Sequence, residues 1–180
     1  MSALPALGPI TEEQYLSDPA FEHCEYVNGI VVERNLGTKP HARIQGKCFR
    51  KFDEYLDTHP GGYAVVELHC RLKVRGYPRF RVPDAAVVLG DESSEQRYLE
   101  RSPDLVVEIR SPDDSLSSQL RKMDDYFENA CRLAWLVLPE EHSVLILAPG
   151  AAPRTATAGE TLDGGDVLPG LSIAVDDLFA

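Results

Sequence analysis

Two apolar segments of this chain each carry a carboxylate, and that pairing limits the fold more than any other feature of the sequence. They are Val82-Pro83-Asp84-Ala85-Ala86-Val87-Val88-Leu89 and Pro103-Asp104-Leu105-Val106-Val107-Glu108-Ile109-Arg110. Short runs rich in Val, Leu and Ile read as buried strands. Glu108 follows three apolar residues and precedes Ile109, so it falls in or against a sheet interior. A buried carboxylate is costly unless it is paired, protonated or bound to a cation. A cation brought to these strands would answer that cost. The following segment, Gln119-Leu120-Arg121-Lys122-Met123, offers a lysine.

The rest of the chain supplies helices to flank such a sheet. Thr11 precedes a short helix as a cap, and Asn28-Gly29 between β-formers predicts a hairpin over 25–33. Ile44, Cys48, Phe52, Tyr55 and Leu56 recur at helical spacing and predict a helix from Pro40 to about Asp57. Arg43, Lys47 and Arg50 share one flank of it. Tyr63 to Val74 alternates as one strand, and Gly76-Tyr77-Pro78 turns the chain. A second helix is expected from Leu116 to Ala130, buried through Leu116, Leu120, Met123, Phe127 and Ala130. Its adjacent flank holds Gln119, Lys122 and Tyr126. A strand pair over 134–147 follows, then an irregular stretch over 149–165 and a short closing element over 171–179. Residues 1–11 read as a lead-in. This order implies one domain over 1–180, an α/β fold with a central mixed sheet flanked by helices.

At 180 residues the chain can bury a real core, and no apolar run approaches the ~20 residues of a membrane helix. The N-terminus lacks the basic start and apolar stretch of a secretory signal. Cys24, Cys48, Cys70 and Cys131 have no CxxC spacing and read as reduced thiols, which makes a zinc site improbable and suggests a cytoplasmic location. The net charge of −11 argues against a polyanionic partner, but it is unevenly spread. Residues 39–81 hold ten Lys/Arg against four Asp/Glu, while the remainder holds eight against 25. One basic face on an acidic body is compatible with that asymmetry.

Two strand acids near a cation suit a divalent metal that neutralises a phosphodiester and activates water. Mg²⁺ takes oxygen ligands and keeps several waters, so Asp84, Glu108 and the Ile109 carbonyl would suffice. Lys122 is the candidate to orient water or stabilise developing charge. Arg110 alternates onto the face of Glu108 and can hold a phosphate, as can Arg43, Lys47 and Arg50. Singly, each has a plainer reading. Pro83-Asp84 can be a strand-start turn, Glu108 and Arg110 a mutual ion pair, and Lys122 a solvated helix lysine. Glu25 can be a surface strand residue, His41 a first-turn helix residue, and the Arg43/Lys47/Arg50 flank a solvated face.

The combination resembles a known family. Cys24-Glu25-Tyr26-Val27-Asn28-Gly29-Ile30-Val31, Lys39-Pro40-His41, the Pro83-Asp84 strand and Glu108-Ile109-Arg110-Ser111-Pro112 with the later Lys122 and Trp135 resemble the Uma-type proteins. So does the closing Asp166-Val167-Leu168-Pro169-Gly170-Leu171. These are bacterial restriction-endonuclease-like domains of the PD-(D/E)XK nuclease superfamily, and the likeness spans about residues 12–179. It implies a restriction-endonuclease-like core, Mg²⁺ or Mn²⁺ as cofactor, DNA as partner and endonucleolytic hydrolysis. Asp84 and Glu108 would be the metal-binding acids, with Glu25, His41, Gln119 and Tyr126 lining the site. The superfamily's lysine position, two residues after the glutamate, holds Arg110, and Lys122 from the next helix would replace it. Breaking two strands suggests a homodimer. The alternatives are a non-catalytic binding or assembly module on a nuclease fold, or a hydrolase of RNA or another phosphodiester.

Overall fold

A computed structural model describes residues 8–35, 37–90 and 97–180; the lead-in reading for 1–7 and the secretory-signal reading lie outside them. The chain begins with α1 (Glu12–Ser17), where Thr11 and Gln14 form a reciprocal capping box. After a 3₁₀ turn (Pro19–Phe21) come β1 (Cys24–Val27) and β2 (Ile30–Glu33), joined at Asn28 and Gly29 with φ of 51° and 90°. Positive φ at both turn residues is the geometry that Asn-Gly tolerates, so the predicted hairpin forms. α2 (Lys39–Thr58) starts at the Thr38 cap and buries Ile44, Cys48, Phe52 and Leu56. That is the predicted stripe, with Tyr55 half-buried at its edge.

The predicted strand over 63–74 is two strands in different sheets. β3 (Gly62–Val66) ends before Glu67, whose φ of 53° breaks the extended run, and β4 (Cys70–Val74) turns at Arg75-Gly76 into β5 (Tyr77–Arg81). Alternation alone does not register such a break, because both halves keep the same period. β1, β2, β4 and β5 make a small antiparallel sheet in the order β2-β1-β5-β4. Tyr15, Phe21, Tyr26 and Phe80 pack together against it.

The central sheet holds the two acid-bearing strands, β6 (Ala85–Leu89) and β7 (Leu105–Ile109), beside β8 (Leu133–Leu138) and β9 (Ser143–Leu147). Its order is β10-β9-β8-β7-β6-β3, with β10 at Arg154–Ala156. The β7–β8 pair is parallel and its other pairs antiparallel, so the expected mixed sheet is present. A parallel pair needs a crossover, and α3 (Leu116–Phe127) provides it. Alternation along β7 divides the core. Leu105, Val107 and Ile109 face the side covered by α2, while Val106 faces Met123 and Tyr126 of α3.

β11 (Thr161–Gly164), β12 (Leu168–Ala174) and α4 (Val175–Phe179) close the α2 side. The stretch expected to be irregular over 149–165 therefore contains β10 and β11. Its Gly and Pro residues set the turns, and Ala156 and Leu162 are fully buried. The expected second helix is both shorter and rotated. It stops at Phe127, since Ala130 has φ of 74° and Asn129 bonds to Lys73 instead. Leu116 is 43% exposed, and the buried side chains are Gln119, Met123, Asp125 and Tyr126. The polar flank faces inward because charged partners await it there.

Candidate active site

Asp84 stands just before β6, and Glu108 is the penultimate residue of β7. Both are buried, as hydrophobic neighbours on adjacent strands require. The Ile109 N–H donates to Asp84 Oδ2 at 2.7 Å, which fixes the Asp84 carboxylate beside the residue following Glu108. The Asp84 main-chain oxygen accepts from Gln45 Nε2 at 2.9 Å, tying the same turn to α2.

Each acid has found a cation. His41, in the first turn of α2, places Nε2 3.2 Å from Asp84 Oδ2, and Arg34 Nη2 lies 3.0 Å from Asp84 Oδ1. Lys122 reaches from α3 to Glu108 Oε2 at 2.8 Å and to Glu25 Oε1 at 2.7 Å. Tyr126 OH donates to the other Glu108 oxygen at 2.7 Å. Glu25 is further held by Arg81 at 2.7 Å and by the Val82 N–H at 3.0 Å. Arg81 is in turn gripped by Asp125, which Arg79 also contacts. The result is a row of alternating charges, Asp125–Arg81–Glu25–Lys122–Glu108, drawn from β1, β5, β7 and α3. Buried charges survive only in such a fully paired arrangement.

The pairing shapes the protonation states. Burial alone favours a neutral Asp84, but the His41 hydrogen bond, the Lys122 and His41 charges and the Ile109 N–H hold its carboxyl below the ordinary value. Burial pushes the Glu108 carboxyl up to about 7; Lys122 opposes this, and the Asp84 and Glu25 charges add to it. Burial would discharge Lys122, yet Glu108, Glu25 and Asp84 raise its pKa above the ordinary value and keep it an ammonium. His41 is also raised: burial works against its charge, and Asp84 overcomes that.

These groups line a cavity of about 160 Å³, with Glu25, Arg34, His41, Asp84, Glu108, Gln119 and Lys122 in its wall. Organic ligands generally occupy ~300–1,000 Å³, so this space suits a hydrated ion or one phosphate group. Gln119 Oε1 is buried with no hydrogen-bond partner. Among the described residues, no three His, Cys, Asp or Glu side chains are grouped to hold a metal ion. The acids instead face Arg34, Lys122 and His41.

The structure thus brings together Glu25, His41, Asp84, Glu108, Ile109, Gln119, Lys122 and Tyr126. It removes others. β7 ends at Ile109, so alternation no longer governs Arg110, which pairs with Glu141 at 2.9 Å and Glu140 at 3.3 Å on the β8–β9 turn. Neither a pair with Glu108 nor a place in the cavity wall is found for it. Arg43 and Lys47 donate to main-chain oxygens of Leu178 and Ala180, and Arg50 lies 4.0 Å from Glu54. Arg43 and Lys47 answer the unsatisfied carbonyls at the end of α4, which packs on α2, and none of the three lines the cavity. Sequence reasoning missed Arg34, Arg81, Asp125 and Gln45. Alternation would have put Arg79 and Arg81 on one face of β5. Arg34 lies in a connection and left no pattern to read.

A family model described as "Putative restriction endonuclease", Uma2, matches residues 12–176. No curated protein matches the chain. Among solved structures, a protein described as a "putative nuclease belonging to DUF820" from Anabaena variabilis superposes with a TM-score of 0.84. It is 22% identical, and the match covers 95% of this chain and 98% of that one. At that identity the likeness establishes the shared fold.

Proposed function

Because the chain belongs to the Uma2 family of restriction-endonuclease-like proteins, we propose that it is a Mg²⁺- or Mn²⁺-dependent nuclease that hydrolyses phosphodiester bonds in DNA. The observation supporting this best is the 2.7 Å contact from the Ile109 N–H to Asp84, which sets the two acids side by side with Lys122 on Glu108. The donors have the right chemistry for such an ion. Asp84 and Glu108 offer carboxylate oxygens and Ile109 a main-chain carbonyl, while Gln119 Oε1 is a buried oxygen without a partner. Hard divalent cations take oxygen ligands of this kind. When bound, the ion would neutralise the scissile phosphate and supply an activated water.

The chain's own residues define the remaining roles. Lys122 is held as an ammonium between Glu25 and Glu108, so it donates to developing negative charge rather than accepting a proton. Glu25 and Tyr126 fix the two groups Lys122 and Glu108 from behind. His41 orients Asp84. Cleaving both strands of a duplex needs two such sites, so the proposal extends to a homodimer.

Supercoiled plasmid incubated with Mg²⁺ or Mn²⁺ tests the reading. Wild type should nick it, and Asp84→Ala and Glu108→Ala should each lose at least ~10²-fold, as expected when a group supporting the transition state is removed. Equal cleavage by all three proteins, or by none, would refute it. A second reading, a non-catalytic binding module, is favoured by the internal pairing of Glu25, Asp84 and Glu108. Failure of Mn²⁺ to bind at millimolar concentration by calorimetry would select it.

A further inference from the structure

Three buried carboxylates of the cavity, Glu25, Asp84 and Glu108, face three buried or half-buried cations, Arg34, Arg81 and Lys122. A divalent ion at Asp84 and Glu108 must take carboxylate oxygens that resident groups now hold: Arg34 on Asp84 Oδ1, His41 and the Ile109 N–H on Oδ2, and Lys122 and Tyr126 on Glu108. The three cations are held very differently. Arg81 is clamped by Asp125 through two nitrogens, at 2.6 and 2.8 Å, and by Glu25, and its side chain is only 11% exposed. Lys122 has contacts to Glu25, Glu108 and the Val82 oxygen, and is 12% exposed.

Arg34 is the loosely held member. It lies between β2 and α2 at the cavity wall, is 19% exposed, and binds the site through one 3.0 Å contact to Asp84 Oδ1. Its other acid, Glu67, lies outside the cavity wall at 3.7 Å, with a side chain 51% exposed. That gives the guanidinium a second place to rest a short swing away. Asp84 itself would stay in position without Arg34, since His41 and the Ile109 N–H hold Oδ2.

We propose that Arg34 is an exchangeable cation: it neutralises Asp84 before metal arrives, is displaced from Oδ1 when the ion binds, and then holds the substrate phosphate at the cavity mouth. This rests on the metal-dependent reading of the same site. A planar, permanently charged fork suits both duties, pairing with a carboxylate in one state and a phosphate in the other. Arg34 is therefore a substrate-binding residue whose resting contact also weakens metal affinity.

Calorimetric titration with Mn²⁺ alone, and of a DNA duplex in Ca²⁺, compares wild type with Arg34→Gln; circular dichroism and melting confirm that the variant folds. The expected result has opposite signs: Arg34→Gln binds Mn²⁺ about tenfold more tightly and the duplex about tenfold more weakly, each worth one charge-assisted contact. In wild type carrying ¹⁵N-arginine, Mg²⁺ should shift the Arg34 side-chain resonance. Glu67→Gln, which removes the charge of the second resting place but keeps an oxygen to accept from Gln45, should weaken Mn²⁺ binding. Mn²⁺ binding by wild type with an unchanged or lower affinity in Arg34→Gln, or an Arg34 resonance indifferent to Mg²⁺, overturns the exchange alone. Failure of both proteins to bind Mn²⁺ overturns the metal-dependent reading and the exchange with it.

Discussion

At the scale of single residues, Glu108 sets the requirements that its neighbours meet. It sits among Leu105, Val106, Val107 and Ile109, so its charge must be answered by side chains that reach it from α3. Lys122→Met would leave Glu108 and Glu25 without their shared cation, and removing one partner of a buried pair costs ~3–5 kcal/mol. Urea unfolding at pH 7 should show that loss, and adding Glu108→Gln should recover part of it because the uncompensated charge is gone. The His41–Asp84 pair carries a pH signature. The folded pKa of His41 lies above its ordinary 6.5, so its contribution is complete below 6.5 and disappears as pH rises through the folded value. Asp84 is held below its ordinary 3.8, so its contribution exists above 3.8 and is lost as acid protonates it. The stability difference between wild type and His41→Gln, measured without metal, should therefore be larger at pH 5.5 than at pH 9. Equal differences at both would show that the pair is not ionic.

At the scale of elements, periodicity gave the helices and their lengths to within a few residues, but not always their orientation. For α2 the apolar stripe Ile44, Cys48, Phe52 and Leu56 is the buried face, since nothing polar on the helix competes for the core. For α3 the expected stripe is Leu116, Leu120, Met123, Phe127 and Ala130, of which Met123 is in the core, Leu120 and Phe127 pack at its edge and Leu116 is exposed. Contacts from Lys122, Tyr126 and Asp125 to Glu108, Glu25, Arg81 and Arg79 turned the helix instead. Two substitutions on the expected stripe report which part of it is buried. Met123→Ala should cost ~2–5 kcal/mol, as truncation of a buried side chain does, whereas Leu116→Ser should stay within ~0.5 kcal/mol of wild type as a surface change. Chemical denaturation reads both. The N-terminus of α2 gives a further check. Thr38 accepts from the His41 N–H at 3.3 Å, so Thr38→Ala should lower stability by ~1 kcal/mol and loosen the turn that places His41 against Asp84.

At the scale of the whole molecule, at least half of the ten cations of the basic segment over 39–81 are engaged in contacts within the fold. Arg43 and Lys47 hold the end of α4, Arg71 pairs with Glu12 and Glu100, and Arg79 and Arg81 are turned inward onto Asp125 and Glu25. Replacing both Arg43 and Lys47 with Ala should lower the melting temperature and leave DNA affinity within about twofold, because phosphate contacts alone carry the salt-dependent part of binding. A large loss of affinity at low salt would restore the phosphate role expected for that flank. Local order in the sequence determined the Asn-Gly hairpin, the two amphipathic helices, the strands β6 to β9 and the pair of acids that make up the site. These follow from turn chemistry, helical period and the cost of burying a carboxylate, all of which act over a few residues. Only the tertiary structure decided the break between β3 and β4, the rotation of α3, the loss of Arg110 to Glu140 and Glu141, and the arrival of Arg34 on Asp84. The last three are choices among charged partners whose separations run from 14 positions (Lys122–Glu108) to 97 (Lys122–Glu25), and an ion pair's energy depends on distance and burial in space, which no local pattern encodes.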